Sequence, residues 1–152
     1  MPNTTKIDLD HIDCKLLDAL SADARTSLRQ LGELVGLSAP AVRDRIRRLE
    51  DEGVIESFTI RLNHHRLGYA LEAFVRIEPL PGRLKEIERA LQGMPEITHC
   101  AVVTGEDCFI ARIMLRDIDD LSRLLDPLHD KARTRSSIVK SVPVPARNAP
   151  YR

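Results

Sequence analysis

The apolar residues of this chain change period once, and that change divides it. Up to Gly53 they recur at helical spacing, whereas beyond Leu71 they alternate. A chain built this way folds as helices first and a sheet afterwards, which points to an α+β protein of two parts. Its 152 residues, 43% of them hydrophobic, suffice for one ordinary domain or two small ones.

The helical part reads in three segments. Leu9, Ile12, Leu16, Leu17 and Leu20 make one face, with Asp10 as N-cap and Asp13 in the first turn, where the helix dipole favours an acid. Leu28, Leu31, Leu34 and Val35 make a second, short face that Gly36 ends. Ser38 caps a third helix, Pro40 is tolerated in its first turn, and Val42, Ile46 and Leu49 give its apolar stripe before Gly53. Val54, Ile55, Phe58, Ile60 and Leu62 then read as one or two short strands, a candidate wing.

Residues 63–70, polar with one glycine, read as a hinge. Alternation from Leu71 to Ile77 gives a strand, and Leu84 to Met94 a helix. Residues 97–104 and 108–115 give two more strands, Ile118 to Leu128 a helix interrupted by Pro127, and residues 136–144 a last, edge strand bounded by Pro143 and Pro145. The order βαββαβ over 71–145 suits a ferredoxin-like sheet with helices on one face. The strand 108–115 is apolar on both faces, so the face without helices needs its own cover, and a second subunit is the simplest one. The expected organisation is a helical domain 1–62, the hinge 63–70, the sheet domain 71–145 and a frayed tail 146–152.

Composition removes several alternatives. No stretch approaches the roughly 18 uncharged apolar residues of a membrane span, and the acidic start does not read as a secretory signal, so the cytoplasm is the expected compartment. Three dispersed cysteines, Cys14, Cys100 and Cys108, suit a reducing environment. Aromatics at 3% argue against stacking platforms for single-stranded nucleic acid. Lys+Arg and Asp+Glu are equal at 23 each, so any nucleic-acid partner has to be recognised by a local cluster.

Such a cluster lies in Leu28–Leu49. Leu31, Val35, Leu37, Val42 and Ile46 can hold two helices at a steep angle, with Gly32 for close approach and Gly36 for the tight turn, as in a helix-turn-helix. The second helix then offers Arg43, Arg45, Arg47 and Arg48 against one acid, Asp44. Arginine binds guanine bidentately or clamps phosphate. Small residues in front, Ser38, Ala39 and Pro40, allow deep entry into the groove, and backbone N–H groups there can meet a phosphate. Residues 1–62 nevertheless carry nine Lys+Arg against eleven Asp+Glu, net −2, so paired copies reading a repeated site are expected.

Other readings compete. A plain three-helix bundle would have a solvated arginine face; glycine placement and sign clustering argue against it. His64, His65, His99, Cys100 and Cys108 lack metal-ligand spacing, and strand neighbours His99 and Cys100 diverge. A small dimeric α+β-barrel enzyme, oxygenase- or isomerase-like, would need a nucleophile–base pair that is not evident, and would leave the arginine helix without a purpose. A protein-interaction winged helix is separable from a DNA reader by the salt dependence of duplex binding. No cofactor is implied.

With both halves in view the chain resembles the Lrp/AsnC (feast/famine) family of transcriptional regulators. The matching stretches are LDHIDCKLLDAL at Leu9–Leu20, the Arg25 region, LGELVGLSAPAVRDRIRRLEDEGVI at Leu31–Ile55, LG at Leu67–Gly68 and VVTGEDCF at Val102–Phe109. The resemblance implies an N-terminal helix-turn-helix that reads double-stranded DNA, Arg25 included. It also implies a ferredoxin-like regulatory domain that dimerises and builds tetramers or octamers, and an amino-acid effector that alters assembly or DNA binding. It places the effector at Thr104, Gly105, Glu106, Asp107 and Cys108, where backbone N–H groups receive a carboxylate and an acid receives the ammonium. Many members of the family have Asp where Cys108 stands here.

Overall fold

The computed structural model describes residues 6–105 and 108–151, and the chain divides into two compact units. One gathers Met1–Arg61 with Ala146–Arg152, and the other is Leu62–Pro145.

The first unit is three helices, α1 (His11–Ala22), α2 (Leu28–Val35) and α3 (Ala39–Asp51). Each start is fixed by a side chain accepting a backbone N–H: Asp10 for α1, Ser27 for α2 and Ser38 for α3. Asp10 and Asp13 form a reciprocal capping box, as do Ser27 and Gln30. Leu16, Leu31, Val42 and Ile46 close the core, flanked by Ile12, Leu20, Val35, Leu37 and Ile55. Burying one such side chain contributes about 1.5–3 kcal/mol. The two glycines expected to shape the turn do so by different means. Gly36 sits at φ 71°, the left-handed region, whereas a Cβ on Gly32 would lie 2.4 Å from the Leu37 carbonyl oxygen.

No strand forms over residues 54–62, contrary to the expected wing. The Val54 and Ile55 N–H groups fold back onto the Leu49 carbonyl, which ends α3. Beyond them Phe58, Ile60 and Leu62 stay exposed, because a strand needs a ladder partner and the described residues offer none here.

The second unit is a four-stranded antiparallel sheet of β1 (Leu71–Pro79), β2 (Ile97–Val102), β3 (Phe109–Leu115) and β4 (Ala132–Ile138), in the order β2-β3-β1-β4. Helices α4 (Leu84–Gln92) and α5 (Asp119–Leu125) supply the two crossovers, which makes the βαββαβ ferredoxin-like arrangement. At Pro127 α5 gives way to a 3₁₀ turn, as its missing N–H requires. Ala73, Val75 and Ile77 of β1 and Phe109, Ala111, Ile113 and Leu115 of β3 pack under Ile87, Leu91 and Leu128. The opposite face carries Phe74, Ile110 and Met114, and also Glu72 and Arg112.

Two segments of this unit differ from expectation. The last strand is Ala132–Ile138, not 136–144. Its polar sequence hides it, but it is an edge strand on which only Ala132 is buried. Val142 and Val144, the apolar residues that attract the later assignment, are exposed and lie beside Pro143 and Pro145. The stretch read as a hinge contains a 3₁₀ turn, His64–Leu67, capped by Asn63 and ended by Gly68 at φ 89°. Tyr69 fastens it, edge-on to His64 at 6.1 Å and beneath the Arg116 guanidinium at 5.4 Å.

The tail, expected to fray, is held at two described residues. Asn148 Nδ2 donates to Ser21 Oγ at 3.0 Å, and the Tyr151 hydroxyl donates to the Asp18 carboxylate on α1. Among the described residues no helix is long and apolar enough to cross a membrane.

Candidate nucleic-acid interface and effector loop

Helix α3 has three flanks, and its sequence sets each. Val42, Ile46 and Leu49 fill the core. Arg43 and Arg47, one turn apart, are exposed, with Asp44 and Pro40 beside them. Among the described residues neither arginine has an ion-pair partner, so both guanidiniums are presented to solvent. Ser38, exposed, opens the helix with its hydroxyl on the Ala41 N–H, and Ala39 is half-buried. The leading turn is therefore narrow, with little side-chain bulk ahead of the two arginines.

Arg45 and Arg48 stand apart from that pair, on the flank turned to α1. Arg45 donates to Asp13 at 2.8 Å and to Asp10 at 2.7 Å, and Arg48 donates to Asp13 at 2.5 Å. The structure thus separates the four arginines that the sequence groups together as DNA-binding. It also pairs Arg48 with Asp13 across the core rather than with Asp44 one turn away. Asp13 is the residue whose importance the sequence reading missed: it is the one charged side chain among the buried residues described, and it serves as more than a first-turn acid. The signal was available, since Asp13 lies between Leu9, Ile12, Leu16 and Leu17 on the face turned to the core. An acid there requires a cation from a facing helix. The Asp13 backbone N–H, and after it the Arg45 guanidinium, pull the Asp10 carboxyl down to about 2.

Arg25 is exposed in the turn between α1 and α2, which its backbone N–H tightens by donating to Asp23 Oδ1 at 2.8 Å.

In the second unit β2 and β3 form a hairpin whose loop is closed by the Val103 N–H on the Cys108 carbonyl at 2.9 Å. Thr104 and Gly105 are exposed at its tip, and Gly105 takes φ 120°. Cys108 is half-buried against the sheet core. Glu106 and Asp107, expected to receive an ammonium group, lie outside the described residues.

On the open sheet face Glu72 accepts twice from Arg112, at 2.6 and 3.0 Å, and this bidentate bond lowers its carboxyl below the usual range. His99 lies opposite Arg112 and Cys100 opposite Ala111, so the two project to opposite faces. Both border a cavity of about 350 Å³ beside α4, where burial pushes the Cys100 thiol up, away from the thiolate a nucleophile needs. Among the described residues no group of three or more His, Cys, Asp or Glu side chains is placed to hold a metal ion.

With this geometry in hand, known proteins give a consistent comparison. Residues 9–50 match the model of the AsnC-type helix-turn-helix domain, and residues 72–149 that of the Lrp/AsnC ligand binding domain. The HTH-type transcriptional regulator LrpA of Mycobacterium tuberculosis is 37% identical over 134 residues, covering 86% of this chain and 89% of its own. The fold is similar to that of LrpC from B. subtilis, with TM-score 0.84 and 26% identity over 90% of this chain and 97% of the other. It is equally similar to the feast or famine regulatory protein of M. tuberculosis in its complex with L-methionine. There the TM-score is 0.84 and the identity 34%, over 93% of this chain and 99% of the other.

Proposed function

Because the chain belongs to the Lrp/AsnC family of HTH-type transcriptional regulators, we propose that it reads double-stranded DNA in the cytoplasm with Arg43 and Arg47 of α3 and answers to an amino acid at the β2–β3 loop. Support for the reader comes from the two-sidedness of α3, which is fixed in the core by Val42, Ile46 and Leu49 and presents two exposed arginines outward that have no ion-pair partner among the described residues. Ser38, Ala39 and Pro40 lead into the groove, and Arg25 meets the backbone from the preceding turn. Neither act requires a cofactor, and no catalysis is involved.

Support for the effector comes from the relatives. The regulatory proteins of M. tuberculosis and Neisseria meningitidis that resemble this chain were solved as complexes with L-methionine. In this chain the corresponding role falls to Thr104, Gly105, Glu106, Asp107 and Cys108. The exposed Phe74 on the open sheet face and the alternating exposed Phe58, Ile60 and Leu62 favour a homodimer, assembling further to a tetramer or octamer. Two copies bring two reading heads to a repeated site, which offsets the weak charge of each.

Selection of bound genomic fragments, with and without amino acids, tests the whole reading, since it returns the operator, its repeat spacing and the effector together. Arg43→Ala and Arg47→Ala should each cost about 1–3 kcal/mol on the selected operator and relax specificity at one base step. Unchanged operator affinity after both replacements would refute it.

A further inference from the structure

We infer that Asp13 determines the specificity of the reading head by withholding Arg45 and Arg48 from the DNA backbone. This rests on the DNA-reading function proposed above and concerns the charge that the head shows to phosphate. Asp13 touches no DNA in this account; it acts through the two arginines.

The argument begins with burial. The Asp13 side chain is 1% exposed, and Arg45 and Arg48 are the cations that meet it, one on each carboxylate oxygen. Arg45 is shared with Asp10 as well. A buried carboxylate that lost these partners would stand uncompensated in a low-dielectric interior, so its hold on them is far stronger than that of a surface acid. Phosphate must therefore compete with a desolvated partner for Arg45 and Arg48, whereas it meets Arg43 and Arg47 unopposed.

The consequence is a division of labour on one helix. Four arginines in ten residues would make a strongly cationic rod that binds any duplex. Asp10, the N-cap of α1, and Asp13 in its first turn neutralise two of them, and the two left outward are those placed to meet base edges. The head keeps little sequence-independent affinity, and discrimination rests on the contacts of Arg43 and Arg47.

Salt dependence reads this directly, because the logarithm of affinity falls with the logarithm of salt by about 0.9 for each phosphate neutralised. The full-length protein would be titrated with its selected operator and with a mixed-sequence duplex across a range of salt. Asp13→Asn keeps the shape and removes the charge. It should steepen the slope by about 1–2 per head, as Arg45 and Arg48 turn to phosphate. It should also raise affinity for the mixed-sequence duplex about tenfold at low salt and narrow the ratio between the two duplexes. A helix that had merely lost support would lower its affinity without steepening the slope.

Arg45→Gln and Arg48→Gln decide the matter even where Asp13→Asn does not fold. Each should leave the slope unchanged, while Arg25→Gln, at the residue proposed to meet the backbone, should flatten it by about 0.9. A slope flattened as much by Arg45→Gln or Arg48→Gln as by Arg25→Gln, or a folded Asp13→Asn protein with the wild-type slope, would overturn the inference while leaving the DNA-reading function intact. A wild-type protein that bound no duplex would remove both.

Discussion

Gly32 and Leu37 fix the joint of the helix-turn-helix: a Cβ on Gly32 would sit 2.4 Å from the Leu37 carbonyl oxygen, and the Leu37 N–H donates to the Gly32 carbonyl at 3.0 Å. The obstacle is backbone, so no side-chain rotation relieves it. Gly32→Ala should therefore force α2 and α3 apart, costing at least the 1–3 kcal/mol typical of overpacking and reducing DNA binding with it. Gly36→Ala meets no neighbour and pays only for its left-handed backbone, about 1–2 kcal/mol. Thermal unfolding of the two variants, read beside duplex binding, should rank Gly32→Ala as the more damaging on both measures.

Asp10 gives a prediction in pH. Its folded carboxyl titrates at about 2, lowered from 3.8 by the Asp13 backbone N–H and then by Arg45. A depressed carboxyl contributes stability that is fully present above 3.8 and is lost as pH falls through about 2. Asn is also a good N-cap, so Asp10→Asn removes the charge and keeps the cap. Wild type should exceed Asp10→Asn in unfolding midpoint above pH 4, and the gap should close as the pH approaches 2. A gap that persisted at the acid end would mean that the cap, not the charge, carries the effect.

The legible parts of this chain are those where one residue answers to one local rule. Asp10 and Ser38 as caps, Gly36 as a left-handed stop and the alternation of Leu71–Ile77 each follow from backbone geometry a few residues wide. What escaped the sequence depends on partners far along the chain. Arg45 meets Asp13 from 32 residues away, and in sequence it is indistinguishable from Arg43. The strand Ala132–Ile138 carries almost no apolar signal because its register with β1, not its own pattern, makes it a strand. Residues 58–62 have the strand pattern without the ladder.

Glu72 and Arg112 test how much the open sheet face relies on its own charges. Both acceptor oxygens of Glu72 are used, by Nε and by one terminal nitrogen of Arg112, a fork that lysine cannot reproduce. The pair is partly solvated, so Glu72→Gln should cost only about 0.5–1 kcal/mol in denaturant unfolding at neutral pH. Arg112→Lys should lose a comparable amount, since the charge remains but the geometry does not. Because the Glu72 carboxyl is lowered, the cost of Glu72→Gln should disappear as the pH drops below the usual carboxylate range. A cost independent of pH would assign it to packing instead.

Gly105 bears on the effector. At φ 120° it occupies a region that L side chains rarely adopt, and among the described residues no neighbour lies within 4 Å of the missing Cβ, so glycine is required there by backbone conformation. Gly105→Ala should turn the loop between Val103 and Cys108 into another conformation and move the N–H groups that would receive the effector carboxylate. Calorimetric titration with a panel of amino acids, L-methionine among them, should give a saturable heat for the wild-type protein. For Gly105→Ala it should give an affinity at least about tenfold weaker, a loss of about 1.4 kcal/mol. The sheet lies outside the loop, so circular dichroism of the variant should match wild type. Equal affinities for wild type and variant would place the effector elsewhere on the regulatory unit.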